Sequence, residues 1–155
     1  MIKKQIRNIL VPLDGSQNSS RGLYVAIYIA RQCHATVTGL YILPIAILAT
    51  IPPDGLIPPI SSVPSFDIIK KLKDDAKRFL ESAKVRAAQQ GIMLKTVIMQ
   101  GQPGLDIIRV AHNKKNKIDL IVVGSRGRGS AKEIFFGSTS NYVVHRAKVP
   151  VVVVK

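Results

Sequence analysis

The sequence predicts an α/β domain built on an open, doubly wound, five-stranded parallel sheet with helices on both faces. Three observations carry this prediction. Short, largely apolar β-branched runs recur along the chain, as strands buried on both faces do. Segments of helical period separate them. Strand alternating with helix requires right-handed crossovers, which set helices on both sides of one sheet.

The elements follow in order. Strands are expected at Asn8–Leu13, Ala35–Leu43, Leu94–Met99, Leu120–Val123 and Val149–Val154. In Ser19–Cys33, the residues Leu23, Ala26, Ile27, Ala30 and Cys33 fall on one helical face. From Ser65 to Gln90 the apolar stripe is Ile68, Ile69, Leu72, Ala76, Phe79, Leu80, Ala83 and Ala87, with charges opposite. Ser65 is placed to cap that helix and Gly91 to end it. Pro103 suits a first helical turn and opens a shorter helix through about Lys115. A last helix spans Ser138 to Arg146.

At 155 residues the chain reads as one domain, 1–155, without internal repeat or linker. An apolar content of 46% excludes disorder as the main state, and a single cysteine, Cys33, excludes a disulfide scaffold. The apolar run Ile9–Leu13 is too short for a signal peptide. The longest apolar stretch, Val37–Ile51, contains Thr38, Gly39 and Pro44 and falls short of the roughly 20 residues of a spanning helix. The expected compartment is the cytoplasm. One segment breaks the alternation: 44–64 holds six prolines and reads as a long irregular loop, with many apolar residues for a plain surface excursion.

The net charge of +14 admits two readings, a nucleic-acid binder or a generally basic surface. The cations are spread along the chain, and the densest runs, at 70–73 and 114–117, look like solvated helix faces or ends. No aromatic interleaving of the kind that stacks bases accompanies them, and there is no tryptophan. Nucleic acid is therefore the lesser expectation.

The stretch that carries chemistry is Gly124-Ser125-Arg126-Gly127-Arg128-Gly129-Ser130, with Gly137-Ser138-Thr139-Ser140 beginning after nine intervening residues from Gly127. It follows a buried strand and leads into a helix. Ligands of open parallel sheets lie beyond the carboxyl ends of the strands. Glycines there let successive N–H groups make an anion nest, and the start of the last helix adds its own N–H groups and positive dipole end. Arg126, Arg128 and Lys132 add positive charge. Two familiar phosphate motifs fail: Ser130 stands where a P-loop needs lysine, and Gly127-Arg128-Gly129 lacks the third glycine of a dinucleotide fingerprint. A plain flexible turn is the competing reading. At the end of the first strand, Asp14 can bond ribose hydroxyls or help hold a divalent cation, and Asp14 or Ser16 can equally cap the following helix.

With these residues the chain resembles the ATP-binding branch of the universal stress protein family over nearly its whole length. The family's spaced motif is matched by Gly124, Gly127, Gly137 and Ser138. Pro12 and Asp14 in the opening strand, the turn Gly101-Gln102-Pro103 and the closing Val149–Val154 are also similar. The resemblance implies a Rossmann-like sheet of the adenine nucleotide alpha hydrolase-like kind and a site for ATP with Mg²⁺ or Mn²⁺. Position by position it implies that Gly124, Ser125, Arg126, Gly127, Arg128, Gly129 and Ser130 wrap the ribose and phosphates. Gly137, Ser138, Thr139 and Ser140 would hold the outer phosphates, Pro12 and Asp14 would flank the nucleoside and metal, and the main chain at Ile42 would read the adenine edge. It also implies a homodimer through Val151, Val152, Val153 and Val154, since an apolar edge strand invites pairing with its like. Thr139, where the family often has valine, and the 44–64 loop depart from the family's pattern.

Other reactive residues are read as structural. Cys33 is a small core hydrophobe, His34, His112 and His145 share no metal-ligand spacing, Ser16 and Ser19 are caps, and Met93 and Met99 are core. The expected function is a nucleotide-dependent stress-response switch or partner-binding module, with protein partner unknown. The alternatives are a slow ATPase or phosphotransferase in the same pocket, for which Asp14 is the one evident general base, and the basic nucleic-acid binder.

Overall fold

A computed structural model of the chain describes residues 5–44, 66–128 and 136–155. The chain runs β1 (Asn8–Leu13), α1 (Gln17–Cys33), β2 (Thr36–Pro44), α2 (Phe66–Gln89), β3 (Leu94–Gly101), α3 (Pro103–His112), β4 (Leu120–Gly124), α4 (Ser138–Arg146) and β5 (Val151–Val154). The five strands form one parallel sheet in the order β3-β2-β1-β4-β5. The expected elements are all present, with ends shifted by a few residues. The segment 45–65, which contains nearly all of the proline-rich stretch and Ser65, lies outside the described residues, as do Gly129, Ser130 and Lys132.

Alternate residues of each central strand face opposite cores, as the two-residue period of a strand dictates. Ile9, Val11, Leu13, Val37, Tyr41 and Val122 pack against Leu23, Ala26, Ile27 and Ala30 of α1 and Ala76, Leu80, Ala83 and Ala87 of α2. Leu10, Leu40, Ile42, Ile121 and Val123 pack against Ile107 and Ala111 of α3 and Val143 of α4. The small alanines let α2 lie close to the sheet.

The helix ends follow local chemistry. Ser16 caps α1 by accepting from the Ser19 N–H, while Gly91, at φ +75°, ends α2 in the left-handed turn that glycine favours. Pro103 opens α3 as expected. Asp106, in the first turn of α3, accepts the Gln102 N–H at 2.8 Å and so caps that helix from within.

Four expectations need correction. Burial on both faces holds for β1, β4 and most of β2 but not for the two edge strands: Val97 and Ile98 of β3 stand partly in solvent, and the four valines of β5 are only partly buried. Met93 is 81% exposed because it precedes that edge strand, and Met99 is only partly buried. Ile68 is 51% exposed, since it sits on the flank of the α2 stripe. Cys33 packs on the rim of the α1 cluster and is half-buried.

Ile121, fully buried between β1 and β5, gives a direct test of the core. Ile121→Ala should lower stability by about 2–5 kcal/mol in urea unfolding, whereas exposed Met93→Ala should change it by less than ~0.5 kcal/mol.

Candidate functional site

β1 and β4 are neighbours at the middle of the sheet, and the chain leaves them for opposite faces, β1 into α1 and β4 toward α4. Two loops diverging from adjacent parallel strands leave a crevice at the carboxyl ends. That crevice is a cavity of about 590 Å³. Pro12, Asp14, Ile42, Gly124, Arg126, Gly127, Arg128, Gly137, Ser138, Thr139 and Ser140 all line it. Its remaining wall is largely apolar, with Leu40, Leu43, Leu72, Pro103, Ile107 and Val123 among the lining residues.

The two glycines of the turn that the structure describes are small for different reasons. A Cβ on Gly124 would sit 2.8 Å from the Asn18 carbonyl carbon and 2.9 Å from the Ser19 nitrogen, so this glycine lets the first turn of α1 approach β4. A Cβ on Gly127 would sit 2.6 Å from Asp14 Oδ2, so this one brings the β4 loop against the carboxylate that ends β1.

Ser125 joins the parts. Its N–H donates to the Val154 carbonyl at 2.7 Å, and its own carbonyl accepts from the Gly137 N–H and the Ser140 hydroxyl, both at 2.7 Å. The side chain is buried and accepts from Asn18 Nδ2 at 3.5 Å. Unlike its neighbours Gly124 and Arg126, Ser125 does not line the cavity. Ser140 lines it, but its hydroxyl is engaged with the Ser125 and Gly137 carbonyls.

The result is a pinned and open helix start. Gly137, the residue before α4, gives no side-chain cap, and the first turn holds no acid. A helix start leaves its first N–H groups without intrahelical partners and carries a positive dipole end. Ser138 and Thr139 bring that end to the cavity, beside Arg126 and Arg128. The start of α1 differs, being already capped by Ser16.

Asp14 Oδ1 accepts the Ser16 N–H at 2.9 Å, so the carboxylate is held in a tight turn rather than capping α1 itself. Among the described residues it is the one acidic side chain lining the cavity. A lone carboxylate suits a hard divalent cation whose other ligands are phosphate oxygens and water.

Sequence reading missed Tyr41. This residue is 5% exposed and packs beside Phe79, yet its hydroxyl reaches the cavity, donating to the Asp14 carbonyl at 3.3 Å and accepting from Arg128 at 2.9 Å. Burial pushes the phenol above its ordinary range, the Arg128 guanidinium pulls it back in part, and Asp14 and Asp75 add to the rise. The signal in the sequence was slight: a single phenol hydroxyl within the apolar second half of β2.

Ile42 stands one residue beyond the end of the β1–β2 ladder, whose last pair is Leu13–Tyr41, while the β2–β3 ladder continues to Pro44–Gly101. β2 thus overhangs β1 as a ledge above the cavity. The histidines lie elsewhere: His34 ends α1, His112 accepts the Lys148 N–H at 3.0 Å, and His145 is exposed on α4.

The model of the universal stress protein family matches residues 5–155. The chain belongs to the universal stress protein family. Its relatives include universal stress protein YxiE of Bacillus subtilis, 32% identical over 150 residues that cover 95% of this chain and 97% of YxiE. The universal stress protein UspA from Lactobacillus plantarum superposes with a TM-score of 0.81 at 31% identity, over 97% of this chain and 99% of that one. A universal stress protein from Archaeoglobus fulgidus, solved in complex with dAMP, shares the fold with a TM-score of 0.67 at 21% identity, over 97% of this chain and 99% of that one. The spaced glycines that carry the family resemblance, Gly124, Gly127 and Gly137, also line the crevice between β1 and β4.

Ser140→Ala should cost about 1 kcal/mol of stability in urea unfolding, because its hydroxyl ties the start of α4 to the β4 loop. Thr139→Ala, at a partly exposed position, should cost less than ~0.5 kcal/mol.

Proposed function

We propose that this universal stress protein binds ATP, with Mg²⁺ or Mn²⁺, in the cavity between β1 and β4 and works as a nucleotide-dependent stress-response switch. The observation that carries the proposal is the start of α4, which has no side-chain cap from Gly137 and lines the same cavity as the glycine turn and Asp14, the one acidic side chain lining it among the described residues. Phosphates suit a helix start and a turn of main-chain N–H groups flanked by arginines. An adenine suits the apolar half of the cavity, where the β2 ledge at Ile42 offers main-chain groups to its edge. The structure in complex with dAMP supports the adenine part, and so does a second neighbour, at 21% identity and a TM-score of 0.66, solved in complex with cAMP.

In this proposal Arg126, Gly127, Arg128, Gly129 and Ser130 follow the ribose and phosphates, Gly124 and Ser125 shape the turn, and Ser138, Thr139 and Ser140 present the helix start. Pro12 flanks the nucleoside. Asp14 holds the divalent cation together with the phosphates; the metal, when bound, neutralises phosphate charge. The switch is the ordering of the glycine turn around the phosphates, which changes the surface offered to a partner protein. We place the protein in the cytoplasm as a homodimer through Val151–Val154, an edge strand of four partly exposed valines. Among the described residues no helix is long and apolar enough to cross a membrane.

The test is to denature freshly purified protein, identify the released nucleotide by mass spectrometry, and titrate emptied protein with Mg·ATP. Stoichiometric ATP, lost in Gly127→Val, is the expected result. Recovery of ADP would indicate turnover, and Asp14→Ala would then show whether that carboxylate is its base. Protein that carries no nucleotide and fails to take up Mg·ATP would sink the proposal.

A further inference from the structure

The nucleotide reading leaves the Tyr41 hydroxyl without a role. A hydroxyl at the rim of an apolar core needs partners, and this one has two: it donates to the Asp14 carbonyl and accepts from Arg128. Two structural features favour the contact with Arg128. Gly15, at φ +80°, has no Cβ, and one placed there would lie 2.7 Å from the same guanidinium nitrogen, so the guanidinium rests against bare backbone. The Tyr41 ring is fixed by burial and by Phe79, whose ring centre lies 6.3 Å away. A long, exposed arginine side chain is thereby held at one point over the end of β1.

We infer that Tyr41 is a positioning residue, which holds the Arg128 guanidinium against Gly15 so that the site favours phosphorylated nucleosides over free ones. The inference rests on the nucleotide reading of the same cavity. An arginine loses side-chain freedom when it takes an oxyanion, and a partner that has already restricted it reduces that loss. The guanidinium carries five N–H donors in a rigid fork, so one can stay on the phenol while others meet phosphate oxygens. A phenol is protonated at neutral pH, so the hydroxyl donates to the Asp14 carbonyl while its oxygen accepts from Arg128.

The experiment compares binding of Mg·ATP and of adenosine by emptied wild-type protein, Tyr41→Phe, Arg128→Gln and the double variant, using isothermal titration calorimetry. Tyr41→Phe keeps the ring and removes only the hydroxyl. We expect it to weaken ATP binding about 5- to 10-fold and leave adenosine binding unchanged. Arg128→Gln should weaken ATP binding more, and Tyr41→Phe should cost nothing further in that background. A merely structural tyrosine would weaken both ligands alike, or cost as much without Arg128 as with it, and either result overturns the inference. So does unchanged ATP affinity in Tyr41→Phe while the wild type binds ATP, which leaves the nucleotide reading intact. Wild-type protein that binds neither ligand overturns the nucleotide reading and this inference together.

Discussion

Two adjacent strands at the centre of the sheet, β1 and β4, are buried on both faces and send the chain to opposite sides. Neither following loop can fold over the other strand's end without burying main-chain groups away from partners. The space between them therefore stays open, and the site depends on that constraint. What each side contributes is then set locally. The β1 side gives a carboxylate in a tight turn, and the β4 side gives glycines and a helix start.

The main-chain groups of Ser125 turn this opening into a defined shape. They bond to β5 on one side and to the start of α4 on the other, so one residue links the outer strand, the turn and the helix. Because those bonds use the backbone, the residue type shows little of this role. The side chain, buried and facing Asn18, packs α1 against the turn. Position 125 thus supports the cavity from behind, while its neighbours on either side form the surface a ligand meets.

Most of the fold was legible because the two periods, two and 3.6, are strong over long segments, and because Pro103 and Gly91 punctuate helices in the way their backbone preferences dictate. The misreadings at and beside β3 share a cause. Met93, Val97 and Ile98 are as apolar as core residues, and only the strand order tells that β3 has one neighbour. Strand order depends on contacts between residues far apart in sequence, which a local pattern does not encode. The cavity was legible at Asp14 and at the glycines, whose spacing is unusual. Tyr41 was not, because its partner Arg128 lies 87 residues away and only the assembled sheet brings them together.

The contact between α1 and β4 has a consequence for how this sequence can vary. On the strand side, Gly124 faces helix backbone so closely that even one added methyl forces the two apart. On the helix side, a Cβ on Gly22 would meet the Gly124 nitrogen at 3.5 Å, an ordinary contact. The two glycines that share the seam are therefore unequal. Alanine at Gly22 has room and would bring the usual helical advantage over glycine of roughly 0.5–1 kcal/mol. Drift and engineering alike have latitude on the helix and none on the strand, so stability can be added at this seam without reshaping the crevice next to it.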